Sequence, residues 1–477
     1  MMQELVFRCF GCGALLPALS KDSFPFRCPR AGQNDDIDHL LYPEGGELPN
    51  SFPIEIEGNP FLLYRAFSIA YRVAISQGLG DGQYQQIVKQ LNDSIAQVEG
   101  RGFAITPFFH AHGLEQRLGH GGELWIKDET GNVSGSHKGR HLMGILLYLK
   151  VFSALTLEQS KYPGGPPALA IASCGNAALA AAVLAKAAGR RLSVFIPEGA
   201  EPRVVQRLGQ LGADIHVCAR VPGEAGDPCV HAFQKAVAQG AQPFCCQGNE
   251  NGITIDGGKT IGFEIISMVL SGAAPMPETI FVQVGGGALA SSLIQAFEDA
   301  RRMGILQKMP RFCTVQTQGA FPLKRAYDRI VRKIESRLGL LNSSFGESPS
   351  GALKQADRIC AQAPAALIEE ELRGAATHRR EFMFAWESEP KSIATGILDD
   401  ETYDWLAIVR GMLHSGGIPI VASESTLARA GLLGREVTGI DVDETGAAGL
   451  AGFIECKNDG IGEQFGRIAL LFSGKRR

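Results

Sequence analysis

Between Phe103 and Val284 short apolar runs alternate with helical patterns, and this alternation limits the fold more than any other feature of the chain. Leu169-Ala170-Ile171-Ala172, Leu192 to Pro197, Asp214 to Cys218 and Thr279 to Val284 have the length and side chains of strands. Helical stretches separate them, the one after Ala172 being rich in alanine. A strand followed by a helix and another strand needs a crossover, so such a series builds parallel sheets covered by helices. Phe312 to Thr317 continues the series, and the rhythm resumes after Glu389-Pro390, ending on the apolar run Ile468 to Phe472. The expected fold class is α/β, with mainly parallel sheets flanked by helices. At 477 residues the chain has room for two to three domains, at roughly 100–200 residues each.

Charge and apolar content exclude several function classes. The net charge is −4, which offers no basic field for nucleic acid or an anionic membrane. No run of about 18 apolar residues occurs. The closest stretch, Ala168 to Ala188, contains Asn176 and Lys186. Met1-Met2-Gln3-Glu4-Leu5 lacks the basic and apolar segments of a signal peptide. The odd count of 11 Cys then suits reduced thiols. A cytoplasmic location, no nucleic acid and no membrane are the expectations.

Five segments carry chemistry-bearing residues. In Glu129 to Arg140, Lys138 lies among small residues at a loop-to-helix junction. Desolvation there lowers an amine's pKa and frees it for Schiff-base formation, although a Lys in a Gly/Ser loop is more often simply solvated. Ser173-Cys174-Gly175-Asn176 joins a strand to an Ala-rich helix, and its N–H groups suit a carboxylate. Gly285-Gly286-Gly287-Ala288-Leu289 follows a strand and opens a helix, so its backbone can close on a phosphate. It also matches a dinucleotide fingerprint. That reading needs an acid at the end of the next strand, where Gln316-Thr317-Gln318-Gly319 stands instead. Ser473-Gly474 ends the last strand with a hydroxyl. Cys9, Cys12 and Cys28 form a CxxC pair and a third thiol, with Asp36, Asp38 or His39 as candidate fourth ligands; a metal-free ribbon is the plain alternative.

Together these elements resemble the tryptophan synthase β-like family of pyridoxal phosphate (PLP) enzymes, fold type II, and within it threonine synthase-like proteins. The resemblance covers about residues 100–320 and 390–477. It rests on Thr106-Pro107, Trp125 to Glu129, Gly135 to Arg140, Ser173 to Asn176, Asp256 to Thr260, Gly285 to Leu289 and Ser473-Gly474. It implies Lys138 as catalytic residue and cofactor carrier. Asn176, Gly285, Gly286, Gly287, Ala288, Leu289 and Ser473 become cofactor-binding residues, with Asn176 on the PLP 3′-oxygen and Ser473 at the pyridine nitrogen. Ser136, Ser173, Cys174, Gly175, Arg140 and Lys259 are expected at the substrate, and zinc at Cys9, Cys12 and Cys28. The chain departs from threonine synthases at His137 and Gly139, and its triple-Gly loop is closer to that of amino-acid dehydratases.

The implied division places an N-terminal Cys-containing arm at 1–60 and a helical segment at 61–101. A large PLP domain takes 102–135 plus 273–477, and a small α/β domain takes 136–272. Residues 320–390 read as a helical insertion, a lid or dimer contact, against the plainer reading of a solvated helical surface. Within it lies a Ser/Gly/Pro-rich patch from Asn342 to Gly351. The segment from Ser392 through Asp399-Asp400-Glu401-Thr402-Tyr403-Asp404 has no role assigned by motif.

The activity implied is β/γ-elimination or replacement on a small amino acid, in a homodimer. O-Phosphohomoserine is the leading substrate because Lys127, Arg140 and Lys259 provide more positive charge than one cofactor phosphate needs. The alternatives are an ammonia-lyase or dehydratase acting on serine, threonine or diaminopropionate, and a β-replacement synthase. A nicotinamide-dependent oxidoreductase and a non-catalytic binding protein stand further off.

Overall fold

The computed structural model describes residues 5–20, 24–32, 35–155, 162, 165–220, 226–340, 348–388 and 390–476. The segment Met1 to Glu4, most of the patch from Asn342, and Glu389 lie outside them. Strands β1 (Val6–Cys9), β2 (Leu15–Pro17) and β3 (Leu41–Glu44) form an antiparallel ribbon in the order β2-β1-β3. Residues 1–60 thus contain a small ordered sheet. Helices Ile69–Ser76 and Asp81–Glu99 follow and pack on the helix Lys138–Ala154.

Two further sheets carry the α/β body. β4 (Phe108–His110) and β5 (Leu124–Asp128) belong to a six-stranded sheet. β6 (Leu169–Ala172), β7 (Leu192–Pro197), β8 (Asp214–Cys218) and β9 (Gln242–Pro243) form a four-stranded parallel sheet in the order β8-β7-β6-β9. β10 (Thr279–Gln283), β11 (Arg311–Thr317), β12 (Pro419–Ala422) and β13 (Ile468–Phe472) complete the larger sheet in the order β12-β11-β10-β13-β5-β4. Every pairing in it is parallel except β4 with β5. Every residue of β10 and β13 is buried, as sheets covered on both faces require. The fold is the α/β class expected from the strand–helix rhythm.

Local chemistry sets the helix starts. Proline occupies the first turn of the helices beginning at Pro202, Pro228, Pro322 and Pro349, where its missing N–H costs nothing. Asp227 and Ser423 cap their helices with side-chain oxygens.

Residues 320–390 differ from a lid or a solvated surface. Helices Pro322–Arg337, Pro349–Gln362 and Ala365–Thr377 turn their apolar faces inward. Leu323, Tyr327, Ile330, Ile334 and Leu372 join the core that also contains Trp405. The charges that dominate the segment's sequence lie on its outer face, in pairs such as Arg325–Glu387 and Arg337–Glu371. Among the described residues no helix is long and apolar enough to cross a membrane.

Candidate active site

Lys138 is the first residue of its helix, which lacks a side-chain cap. The turn that delivers it is strained. Ser134, at φ 59°, is the only non-glycine with positive φ among the described residues. That conformation costs about 1–3 kcal/mol and persists only where the surroundings enforce it. Ser136 Oγ accepts the Lys138 backbone N–H at 3.3 Å, and Ser473 Oγ accepts that of His137 at 3.2 Å. The hydroxyl ending β13 therefore sits one residue from Lys138, hydrogen-bonded also to His137 Nδ1.

The two glycine-bearing loops open helices that also lack side-chain caps. Gly175 precedes the helix Asn176–Ala187, and Gly287, at φ 103°, precedes the helix Ala288–Arg302. Ser173, Cys174, Gly175 and Asn176 are partly exposed, whereas Ala288 and Leu289 are buried. Asp399 marks where the pieces meet. Its carboxyl accepts from the Gly286 N–H and feels the charge of Lys138, while its own charge acts on Cys174. Burial pushes Asp399 up to about 6, against the opposing pull of Lys138 and Gly286.

A second buried acid feels the charge of the same lysine. Asp404 is 1% exposed, and among the described residues no side chain is hydrogen-bonded to its carboxyl. Burial pushes it up to about 7, opposed by the Gly248 N–H and Lys138. Its segment is bolted to the glycine loop. Thr402 Oγ1 donates to Gly285 O at 3.0 Å, and the Asp404 N–H donates to Gly286 O at 3.1 Å. His137 and His141 complete the lining. Burial first, then the Lys138 charge, holds His137 well below its usual range and His141 down to about 3. Both are neutral, and each leaves a buried Nε2 without a partner among the described residues. Cys246 Sγ lies 3.9 Å from Lys138 O, and burial pushes its thiol up to about 11.

Arg140 and Lys259 stand elsewhere. Arg140 is fully buried and binds Glu129 through Nε and Nη2 at 2.8 and 2.9 Å. It also binds Thr260 Oγ1 at 3.0 Å, and Glu264. Lys127, equally buried, pairs with Glu264 and donates to Thr106 O at 2.6 Å. Lys259 pairs with Asp299 at 2.6 Å, both side chains being 9% exposed. Two cations and two carboxylates cancel in the first cluster, and in the second Asp299 meets Lys259 and, at 3.5 Å, Arg302. Arg140 and Lys259, expected at a substrate, stand in buried ion pairs within the protein. Asp399, Tyr403, Asp404, His141 and Cys246 were not singled out from sequence as site residues. The only available signal was the concentration of acids from Asp399 to Asp404.

Residues 101–381 match the model of the pyridoxal-phosphate dependent enzyme family. The chain belongs to that family. Threonine synthase of Methanocaldococcus jannaschii is 24% identical over 316 residues, 65% of this chain and 69% of that protein. L-serine dehydratase of Saccharomyces cerevisiae is 28% identical over 206 residues, 43% of this chain and 58% of that one. Diaminopropionate ammonia lyase from Escherichia coli superposes with a TM-score of 0.54 at 16% identity, covering 82% of this chain and 88% of its own.

The cleft fits the family's cofactor. A Cβ added at Gly285 would lie 2.3 Å from Asp399 Oδ2 and 2.8 Å from Ile397 Cα; at Gly286 it would lie 2.8 Å from the Tyr403 ring. The loop is thus bare backbone by necessity, and an uncapped helix start follows it, a combination that suits a phosphate. Gly286→Val is expected to raise the dissociation constant for pyridoxal phosphate by ~10-fold or more, at about 1.4 kcal/mol per decade. Thermal stability measured with excess cofactor should fall far less. Equal losses of both would make the loop merely structural.

Proposed function

We propose that this enzyme is a PLP-dependent ammonia-lyase, which eliminates a neutral or cationic β-substituent from a small amino acid and yields ammonia and an α-keto acid. The observation that supports it is a pair of buried acids, Asp399 and Asp404, close enough to Lys138 to feel its charge. The case for a phosphorylated substrate rested on spare positive charge at Lys127, Arg140 and Lys259, and all three are neutralised by buried carboxylates. An anionic leaving group would meet the acids instead. The O-phosphohomoserine reading retains the similarity to threonine synthases and the segment Asp256 to Thr260. In that segment, however, Asp256 accepts from the Ile69 N–H and Ser68 Oγ.

When bound, the cofactor supplies the conjugated ring that stabilises negative charge at Cα. The chain supplies the rest. The Lys138 amine would carry the cofactor and would be the group that takes the proton from Cα. The bare glycine loop and the uncapped helix start at Ala288 would hold the phosphate. Ser173 to Asn176 receive the substrate carboxylate at the start of their helix. Neutral His137 and His141 add no positive charge to compete with the amine. Ser473 at the pyridine nitrogen is a neutral partner, which suits elimination more than transamination.

The test offers serine, threonine, 2,3-diaminopropionate, O-phosphoserine and O-phosphohomoserine separately to the holoenzyme. Ammonia and a keto acid from an unphosphorylated substrate are expected. Threonine and phosphate from O-phosphohomoserine, with the unphosphorylated substrates inert, would sink the proposal.

Asp404 gives this reading a pH signature. Below about pH 7 it is neutral, and above that it carries the charge that attracts a β-ammonium group. For diaminopropionate, kcat/KM should therefore rise through pH 7, and Asp404→Asn should remove the rise and cost ~10-fold at pH 8. Serine should show neither effect. Stability without cofactor supplies a second readout. The folded chain keeps the Asp404 proton to about pH 7, while the unfolded chain releases it near 3.8. Ionisation thus costs the cofactor-free fold stability progressively from about pH 4 to 7, by roughly 4 kcal/mol in all. Asp404→Asn should flatten that slope in denaturant titrations at several pH values.

A further inference from the structure

The ribbon brings its three cysteines to a histidine. Cys9 ends β1, Cys12 lies in the turn that follows, and Cys28 and His39 arrive on later loops. Cys9 Sγ lies 3.5 Å from His39 Nδ1, and Cys12 Sγ lies 3.6 Å from Cys28 Sγ. One ligand atom from each of the four residues falls within 4.8 Å of all the others. A tetrahedral zinc, with Zn–S of about 2.3 Å and Zn–N of about 2.0 Å, spaces its ligands roughly 3.5–3.8 Å apart. A disulfide between Cys12 and Cys28 would need about 2.05 Å, and Cys9, Cys12 and Cys28 are all free thiols.

The surroundings are those of a ligand set. The Cys12 N–H points at Cys9 Sγ, 3.5 Å away, which favours a thiolate there. His39 Nε2 is hydrogen-bonded to Asp35 Oδ2 at 2.8 Å, and Asp35 Oδ1 accepts the Ile37 N–H at 2.8 Å. A carboxylate on the far nitrogen orients a ligating imidazole and sets which nitrogen faces the metal. The other candidate ligands are engaged elsewhere. Asp36 accepts the Arg380 N–H, and Asp38 accepts Trp405 Nε1–H at 2.5 Å.

We propose that Cys9, Cys12, Cys28 and His39 bind one zinc ion, and that this centre clasps the ribbon onto the catalytic body. Three thiols lose their protons as the metal binds, and the imidazole binds neutral. Four protein ligands leave no open position, so the metal is structural and takes no part in the reaction. The clasp runs through one short segment. His39 is the ligand, and its neighbour Asp38 holds Trp405, the first residue of the helix after Asp404. Asp38 is also anchored by its own N–H to Ala376 O at 2.7 Å. A metal at His39 thereby fixes the strut behind an acid that feels the charge of Lys138.

The experiment uses the full chain, purified without chelator. Metal analysis should give ~1 zinc per chain. Exchange for cobalt(II) should give the visible bands of a tetrahedral thiolate site. Those bands should vanish in Cys12→Ser and change in His39→Ala, while Asp35→Ala should weaken zinc binding by ~10-fold or more. The wild-type cobalt spectrum keeps the test decisive should Cys12→Ser fail to fold. Negligible zinc, no cobalt bands and cysteines that titrate as free thiols would overturn the site. Bands unchanged in His39→Ala would overturn the fourth ligand. For the clasp, stripping zinc from the wild type should shift tryptophan emission, and the shift should be absent in Trp405→Phe. An emission that ignores zinc would overturn the clasp while leaving the site.

Discussion

Lys138→Ala is expected to lower turnover by about 10³-fold or more, since on the proposed assignment it removes both the covalent hold on the cofactor and the group that moves the Cα proton. Other features of the cleft remain in such a variant. The glycine loop and the uncapped helix at Ala288 are untouched, so pyridoxal phosphate should still bind, though without a covalent bond. Borohydride reduction of the wild type, followed by proteolysis and mass spectrometry, should place the label on residue 138. A label on Lys127 or Lys259 would refute the assignment. The structure gives a reason to expect neither, because each of those amines is held against a buried carboxylate. Circular dichroism should show the variant folded, which separates lost chemistry from lost structure.

Arg140→Met is expected to act on stability instead. The guanidinium serves Glu129 and Glu264 together, and the side chains of all three are fully inaccessible. Removing it strands two carboxylates in the interior with only Lys127 as a countercharge, a loss of about 3–5 kcal/mol. Chemical denaturation should register that loss, and Arg140→Met/Glu129→Gln should recover part of it by removing one stranded charge. Were Arg140 a substrate ligand, the single variant would unfold normally and show a raised KM. The two predictions together separate the lysine proposed to do chemistry from an arginine, two positions later in the same segment, in a buried ion-pair cluster.

The contrast shows what sequence can and cannot reveal. Strands such as Leu169–Ala172 and Thr279–Gln283 were legible because their apolar runs and the glycine turns after them are local signals. Lys138, the Ser173–Asn176 turn and the Gly285–Gly287 loop stood out for the same reason. The ion pairs of Arg140 are not legible locally, because Glu264 lies 124 positions away. Sequence displays a charge but not the counter-charge that folding brings to it. Asp399 and Asp404 went unassigned because they lie in irregular chain with no period, and their proximity to Lys138 comes from hydrogen bonds to Gly285 and Gly286. The choice of His39 over Asp36 and Asp38 likewise depended on Trp405 and Arg380, far along the chain. The helices of 320–390 looked surface-like because their charges outnumber the apolar residues that face inward.

The position of β13 has a consequence for how this protein is made. Residues 468–472 run between β10 and β5, so Leu124 pairs with a residue more than three hundred positions later. During synthesis, β5 and β10 leave the ribosome long before the strand that joins them. Until it arrives, the large sheet exists as two fragments, each presenting an open edge to other chains. Such long-range closure is slow. A chain nicked ahead of Ile468 would lose Ser473 and with it the seam of its central sheet. Quality control in the cell would then meet a sticky, half-closed molecule rather than a merely inactive one.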